Sequence, residues 1–385
     1  MTSQKFKQTE IGKAISINPK RELKKGTLSK KISMDKLDPF NKKIKGFEVS
    51  KYNGGSKFTD GDVLLARITP CLENGKTAYV DFLKKGEVGF GSTEFIVLSE
   101  KEGETTKEFV YYLAISPRFR EQAISSMTGT SGRQRVQTDF LEVKEIEIPP
   151  LPEQHAIASI LSSLDEKIEL NNKMNKTLEA IGQALFKKWF VEERKEEQKE
   201  GKLGEIVANI KIPLKPGEEI KNRKYVPIDL LSMNKISIDS FLPYTEAKSS
   251  LIGFEKEDIL FGAMRVYFHR VNLAPFSGVT RTTTFVLRPK NKEHLAYCLF
   301  LLNQEETINF ANSHSKGSTM PYAVWNNSLE NMPIKIPDDR TIKNFNKIIK
   351  PIFEQISVNC FQNKNLSSIR DALLPKLMSG EIRVK

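Results

Sequence analysis

The chain spells one long helix twice. NNKMNKTLEAIGQALFKKWF (171–190) and NCFQNKNLSSIRDALLPKLM (359–378) superpose without a gap. Asn171 falls on Asn359, Asn175 on Asn363, Leu178 on Leu366, Ile181 on Ile369 and Leu185 on Leu373, at a constant offset of 188. The echo continues upstream: GTSGRQRVQTDFLEVKEIEIP ends at Pro149 and GSTMPYAVWNNSLENMPIKIP at Pro337, again 188 apart. FTDGDVLLARI (58–68) resembles FEKEDILFGAM (254–264), and TEIGKAI resembles GKLGEIV, with offsets drifting to about 196 as loop insertions would produce. The order is therefore globule, helix, globule, helix. The expected division is residues 1–150, a helix over 151–193, a second globule over 194–337 and a second helix over 338–385.

The globules read as mixed α and β. GDVLLARI, TAYVDFL, TEFIVLS and VKEIEIP have the short β-rich runs of strands. TKEFVYYLAISPRFREQAISSM and its counterpart KEHLAYCLFLLNQEETINFA have helical spacing. GFGST (89–93) reads as a turn leading into a strand, and EERKEEQKEGK (192–202) as a helix tail fraying into a linker. Pro152 and Glu153 suit the start of the first long helix, Asp338 and Asp339 the start of the second, and Gly380 its end.

Within the first helix Ile157, Leu161, Leu164, Ile168, Asn171, Asn175, Leu178, Gly182, Leu185 and Trp189 alternate at spacings of four and three, the seam of a coiled coil. The second helix carries Phe345, Ile349, Ile352, Ile356, Asn359, Asn363, Leu366, Leu373 and Leu377 in the same register, with Arg370 where the first has Gly182. A helix of this length spans roughly 55 Å. If the halves are related by a dyad, the helices pair antiparallel, Asn171 meets Asn363, Asn175 meets Asn359, and the globules lie at opposite ends. Buried asparagines cost stability and fix register. The expected fold class is α+β: two similar mixed domains and two long helices forming an antiparallel coiled coil.

A formal net charge of +12 favours an anionic partner, nucleic acid first. Three scattered cysteines, Cys71, Cys298 and Cys360, suit a reducing compartment. No apolar run reaches a membrane span and the first residues lack a signal peptide, so a cytoplasmic location is expected. Catalytic motifs fail one by one. ENGKT (73–77) lacks the first glycine of a phosphate loop, Pro70 standing in its place. His155, His269, His294 and His314 form no metal-binding spacing, and no GxSxG elbow occurs.

The segments IPPLPEQHAIASILSSLDEKIELNNKMNKTLEAIGQALFKKWF (148–190), GDVLLARITPCLENGK (61–76) and TGTSGRQRV (128–136) resemble the specificity (S) subunits of type I restriction–modification systems. The second copy is more divergent, lacking the LPEQ tetrapeptide and carrying Pro351 inside its helix. The resemblance implies two target recognition domains, each reading half of a bipartite, gapped site in double-stranded DNA. It implies helices that dock two methyltransferase (M) subunits, which bind S-adenosylmethionine, and restriction (R) subunits, which use ATP and Mg. It implies no active site, cofactor or metal on this chain. A coiled-coil adaptor binding only proteins is the alternative, and a methyltransferase acting alone is a third.

On this reading the candidate DNA contacts of the first half are Arg67, Thr69, Asn74 and Lys76 after a strand, with Ser131, Arg133, Gln134 and Arg135 in a Gly-bounded segment. Those of the second are Arg265, Tyr267, His269 and Arg270, with Lys316, Ser318, Thr319 and Tyr322. Such cationic and polar groups suit phosphates and major-groove base edges. The helix-pairing candidates are Leu164, Ile168, Asn171, Asn175 and Leu178 against Ile352, Ile356, Asn359, Asn363 and Leu366.

Overall fold

Strand Lys7–Glu10 pairs antiparallel with Glu145–Ile148, the last strand before the first long helix. Strand Lys199–Lys202 pairs in the same way with Pro333–Ile336, before the second. A computed structural model describes residues 5–130, 132–192 and 198–384. The chain folds as two compact units, Met1–Glu169 with Leu366–Lys385, and Leu170–Asn365. Each long helix, Leu151–Lys187 and Asp339–Ser379, contributes to both.

The units repeat one plan. A single helical turn, Ile11–Ala14 or Leu203–Ile206, follows the first strand. Its glycine sits close to the chain: a Cβ on Gly12 would lie 3.1 Å from Glu142, and one on Gly204 3.1 Å from Glu330. A four-stranded sheet comes next, in the order Ile15–Ile17, Phe95–Glu100, Val63–Ala66, Thr77–Tyr79. The second unit has Val207–Ile210, Thr284–Pro289, Ile259–Gly262, Val271–Leu273 in the same order. Two helices follow, Lys107–Ile115 and Pro117–Ser125, or Leu295–Leu302 and Glu305–Ser313. The long helical reading of 106–127 thus breaks at Ser116, whose hydroxyl caps the second helix at Phe119 N while Pro117 occupies its first turn.

The second sheet of each unit differs at its edge. Ser56–Phe58, Gly89–Gly91 and Leu28–Ile32 continue to Glu48–Lys51. In the other unit Leu251–Phe254, Gly278–Arg281 and Lys224–Tyr225 lack that neighbour, and Pro213–Leu214 is added on the opposite side. Two local expectations need correcting here. GFG is a strand rather than a turn, because Gly89 and Gly91 let the rings of Phe58 and Phe95 press on the backbone; a Cβ would lie 2.4 and 2.9 Å from them. Lys199–Lys202 is also a strand, its ladder completed by Pro333–Ile336; residues 193–197 lie outside the described residues.

In the first unit Ile157 and Leu161 share a core with Leu374 and Leu377. Arg383 clasps Glu153 at 2.6 Å and Arg370 donates to Asp165 at 2.7 Å, so the two helical segments run antiparallel there. In the second unit Asn171 donates to Asn363 (2.8 Å) and Asn359 to Asn175 (2.7 Å), again antiparallel. The rings of Phe186 and Phe190 lie 6.1 and 5.0 Å from that of Phe345. The buried stripe is wider than a narrow seam. Phe186 and Phe190 go inside while Leu185 and Trp189 are half-buried, and Asp165 and Glu179 are buried with polar partners, Arg370 and the Ile236 N–H. Leu164, Ile168, Leu178, Ile352 and Leu366 are half-buried, and Ile356 is buried. The second helix runs through Pro351, whose exposed position leaves the freed carbonyl to water while Ile349 and Phe353 stay in the core.

The LPEQ segment explains its own chemistry. Gln154 is fully buried; its amide donates to the carbonyls of Glu104 (2.7 Å) and Pro149 (2.9 Å) and accepts from Thr106 N (3.1 Å). At the corresponding place in the second copy Ile342 is buried in an apolar core, so no such tetrapeptide is needed. That helix is capped instead by Asp338, which accepts from Thr341 N at 2.9 Å.

Candidate nucleic-acid interface

In the first unit the buried strand Val63–Ala66 delivers the chain into a compact loop over 67–76. The loop's backbone is joined to the segment before Val136. Thr69 N donates to the Gln134 carbonyl (3.0 Å), Val136 N to the Arg67 carbonyl (2.9 Å), and Arg67 N to the Glu94 carbonyl (2.9 Å). Two groups of candidate residues, far apart in sequence, thereby sit side by side. Arg120 fixes the loop from below: it donates to the Glu73 carbonyl (3.0 Å) and stacks on the Phe40 ring at 4.7 Å. Gly75 has φ +79 and no space for a side chain, since a Cβ would lie 2.5 Å from that ring.

The second unit repeats the joint. Arg265 N donates to the Pro321 carbonyl (2.8 Å), Ala323 N to the Ala263 carbonyl (2.8 Å), and Ala263 N to the Thr283 carbonyl (2.9 Å). Arg135 bridges Ile68 in the first unit, and Tyr322 bridges Met264 in the second. The geometry thus equates Thr69 with Arg265, Gln134 with Pro321, Arg135 with Tyr322, and Glu94 with Thr283. Beyond the joint, Lys316 and Tyr322 pair as the base of a hairpin whose tip, Gly317 to Met320, is exposed.

The candidates divide by what their side chains do. Arg135 makes a two-pronged ion pair with Glu94 at 2.8–3.0 Å, locking the joint. Arg67 donates to the Val136 carbonyl (3.2 Å), Thr69 to Glu73 (2.8 Å) and Lys76 to the Met34 carbonyl (3.0 Å). His269 turns inward, its Nε2 against the side chain of Asn303, and Arg270 lies over the Phe268 ring at 5.0 Å with little exposure. Those six hold the loops. Asn74, Arg133, Arg265, Tyr267, Lys316, Ser318, Thr319 and Tyr322 are exposed, and Gln134 is half-exposed. Ser131 lies outside the described residues. The supporting residues Glu94, Arg120 and Phe40 escaped sequence reasoning; only the doubled loop pattern pointed to their neighbourhood.

Among the described residues no group of three or more His, Cys, Asp or Glu is placed to hold a metal ion, and no helix is long and apolar enough to cross a membrane. Residues 2–180 and 195–366 each match the type I restriction modification DNA specificity domain. The chain belongs to that family. The specificity subunit of the type I restriction enzyme MjaIX from Methanocaldococcus jannaschii is 30% identical over 315 residues, 74% of this chain and 71% of that one. The specificity subunit of HindI from Haemophilus influenzae is 23% identical over 401 residues, 84% and 86% of the two chains. A crystal structure of a type I restriction–modification S subunit from M. genitalium has the same fold, with a TM-score of 0.60 at 18% identity over 97% of this chain and 96% of that one. The matched regions leave the loop joints inside each specificity domain.

Proposed function

We infer that this chain is the sequence-reading subunit of a type I restriction–modification complex and recognises a bipartite, gapped site in double-stranded DNA. The observation that carries this is the pair of equivalent loop joints, one in each unit, each exposing polar and cationic side chains on a buried, hydrogen-bonded base. Arg133, Asn74 and Gln134 are the proposed contacts of one unit, and Arg265, Tyr267, Lys316, Ser318, Thr319 and Tyr322 those of the other. Their sequences differ, so the two half-sites differ. Lys and Arg neutralise phosphates and release counterions, while amides and hydroxyls address base edges. The chain supplies binding and positioning. Methyl transfer from S-adenosylmethionine belongs to docked M subunits, and ATP- and Mg-dependent cleavage to R subunits, all in the cytoplasm.

Docking of two M copies is supported by a second repeat. Ile160, Leu170 and Ile181 are exposed on the first long helix, and Ile348, Val358 and Ile369, each 188 residues on, are exposed on the second. Apolar residues left open twice at the same helical positions suit two copies of one partner. Methylation mapping of whole genomes from cells with and without this chain tests the function. One gapped, asymmetric motif should lose its methylation with the chain; an unchanged methylome, or loss of a continuous motif, overturns the reading.

A further inference from the structure

The second unit holds a cleft of about 440 Å³ beside its loop joint, within the ~300–1,000 Å³ of small-molecule sites. Its floor is buried Ala263, Thr284, Ala323 and Trp325, and its rim is exposed Lys211, Thr282, Tyr322 and Asn326. Phe285 lines it, its ring 6.3 Å from that of Trp325. Thr283 and Thr284 line it as well; their Oγ1 atoms are buried without a hydrogen-bond partner and closed off from the open space, Thr284 being only 2% exposed, so a ligand bonds them only when the side chains turn. A buried hydroxyl left unpaired costs free energy that a bound ligand can return.

The comparison of the two joints explains why space exists here. In the first unit the positions of Thr283 and Tyr322 are taken by Glu94 and Arg135, which close on each other as an ion pair. In the second, a threonine and a tyrosine with no bond between their side chains replace that pair, and both line the cleft. Aromatic walls, two hydroxyls able to donate or accept, and a lysine at the mouth suit a flat heterocycle attached to a phosphate. Met264 and Tyr322 belong both to the cleft and to the joint carrying the proposed DNA contacts.

We propose that this cleft takes one unstacked nucleobase of the half-site read by the second unit. The proposal rests on the DNA-reading function. Pulling a base from the stack costs a few kcal/mol, which stacking on the rings and bonds to the threonines offset.

The test uses the complex with its methyltransferase partner and duplexes carrying 2-aminopurine at successive positions of the mapped site. Apart from the methylated bases, which the methyltransferase subunits themselves expel, fluorescence should rise at one further position of one half-site, and Val324→Trp, which fills the cleft, should abolish that rise alone. The pair Thr283→Val and Thr284→Val should weaken duplex binding about tenfold and lower the same signal; it serves if Val324→Trp does not fold. Tight binding with no further fluorescent position, or a rise there unchanged in both variants, overturns the proposal. A free-nucleoside site is the other source of the same chemistry. Quenching of tryptophan fluorescence by adenosine or cytidine alone, lost in Val324→Trp and with no further signal from the duplex, would assign the cleft to it and overturn the proposal. Failure of the wild-type complex to bind any duplex would overturn the DNA reading itself, and this proposal with it.

Discussion

Gly182 has no room for a methyl group: a Cβ there would lie 2.5 Å from Cζ of Phe300, which is fully buried. Two effects oppose each other in Gly182→Ala. Alanine favours the helix by ~0.5–1 kcal/mol, while overpacking a filled core costs about 1–3 kcal/mol. Packing should win, so the variant should unfold at lower denaturant concentration; a more stable variant would mean that the ring yields. Glu179 poses a different problem, since it is buried and accepts from Ile236 N at 3.1 Å. Burial raises its carboxyl above the ordinary range, opposed by the Ile236 N–H and Lys235 and reinforced by Asp239. A raised acid binds its proton more tightly when folded, so its contribution is fullest below the ordinary carboxylate range and is lost as pH rises through the raised value. Glu179→Gln keeps an acceptor for Ile236. It should be more stable than the wild type at pH 8, with the gap shrinking on acidification. A difference independent of pH would show that the carboxylate stays solvated.

The asparagine layers couple the long helices inside the second unit. Asn175 and Asn359 are buried and bonded at 2.7 Å, with Gln355 donating to Asn359 at 2.8 Å. Asn359→Leu alone strands the carboxamide oxygen of Asn175, whose nitrogen keeps the Ile356 carbonyl and Cys360 sulfur, and should cost about 1–3 kcal/mol. Adding Asn175→Leu should recover much of that while loosening register. Urea unfolding of the single and double variants measures the coupling; strictly additive losses would mean that the pair is not a unit. The loop joints separate support from contact in the same manner. Arg133→Ala should change stability by no more than ~0.5 kcal/mol and lower the slope of log K against log salt by about 1. Arg135→Ala removes the pair with Glu94 that joins the loops, so it should weaken recognition of the first half-site across all its positions. Equal effects of the two on stability would contradict this division of labour.

Two related units on one chain imply a modular target. Exchanging residues 1–150 for those of another family member should change one half-site and leave the other, as read by methylation mapping. Removing one heptad from each long helix, residues 168–174 and 356–362, should change the number of unread bases or abolish methylation without altering half-site identity. An active deletion variant with its gap unchanged would mean that the helices do not set the spacing.

The repeat at 188, the strands flanking it and the two long helices were readable in the residues, because periodicity and duplication are written in local order. The meeting of asparagine with asparagine followed from the same register. Partner choice across the fold did not follow. Arg370 looked like a flaw in a seam until Asp165 and Tyr112 met around it, the tyrosine hydroxyl donating to Asp165 at 2.8 Å. Nor did the local sequence show that His269 packs against Asn303 and Arg270 over the Phe268 ring, both half-buried. Which long-range neighbour completes a charge, fills a gap beside a glycine or closes a cleft depends on segments remote in sequence, and only their folding together selects among chemically equivalent choices. The same packing split each helix between two units, a division that no linear pattern marks.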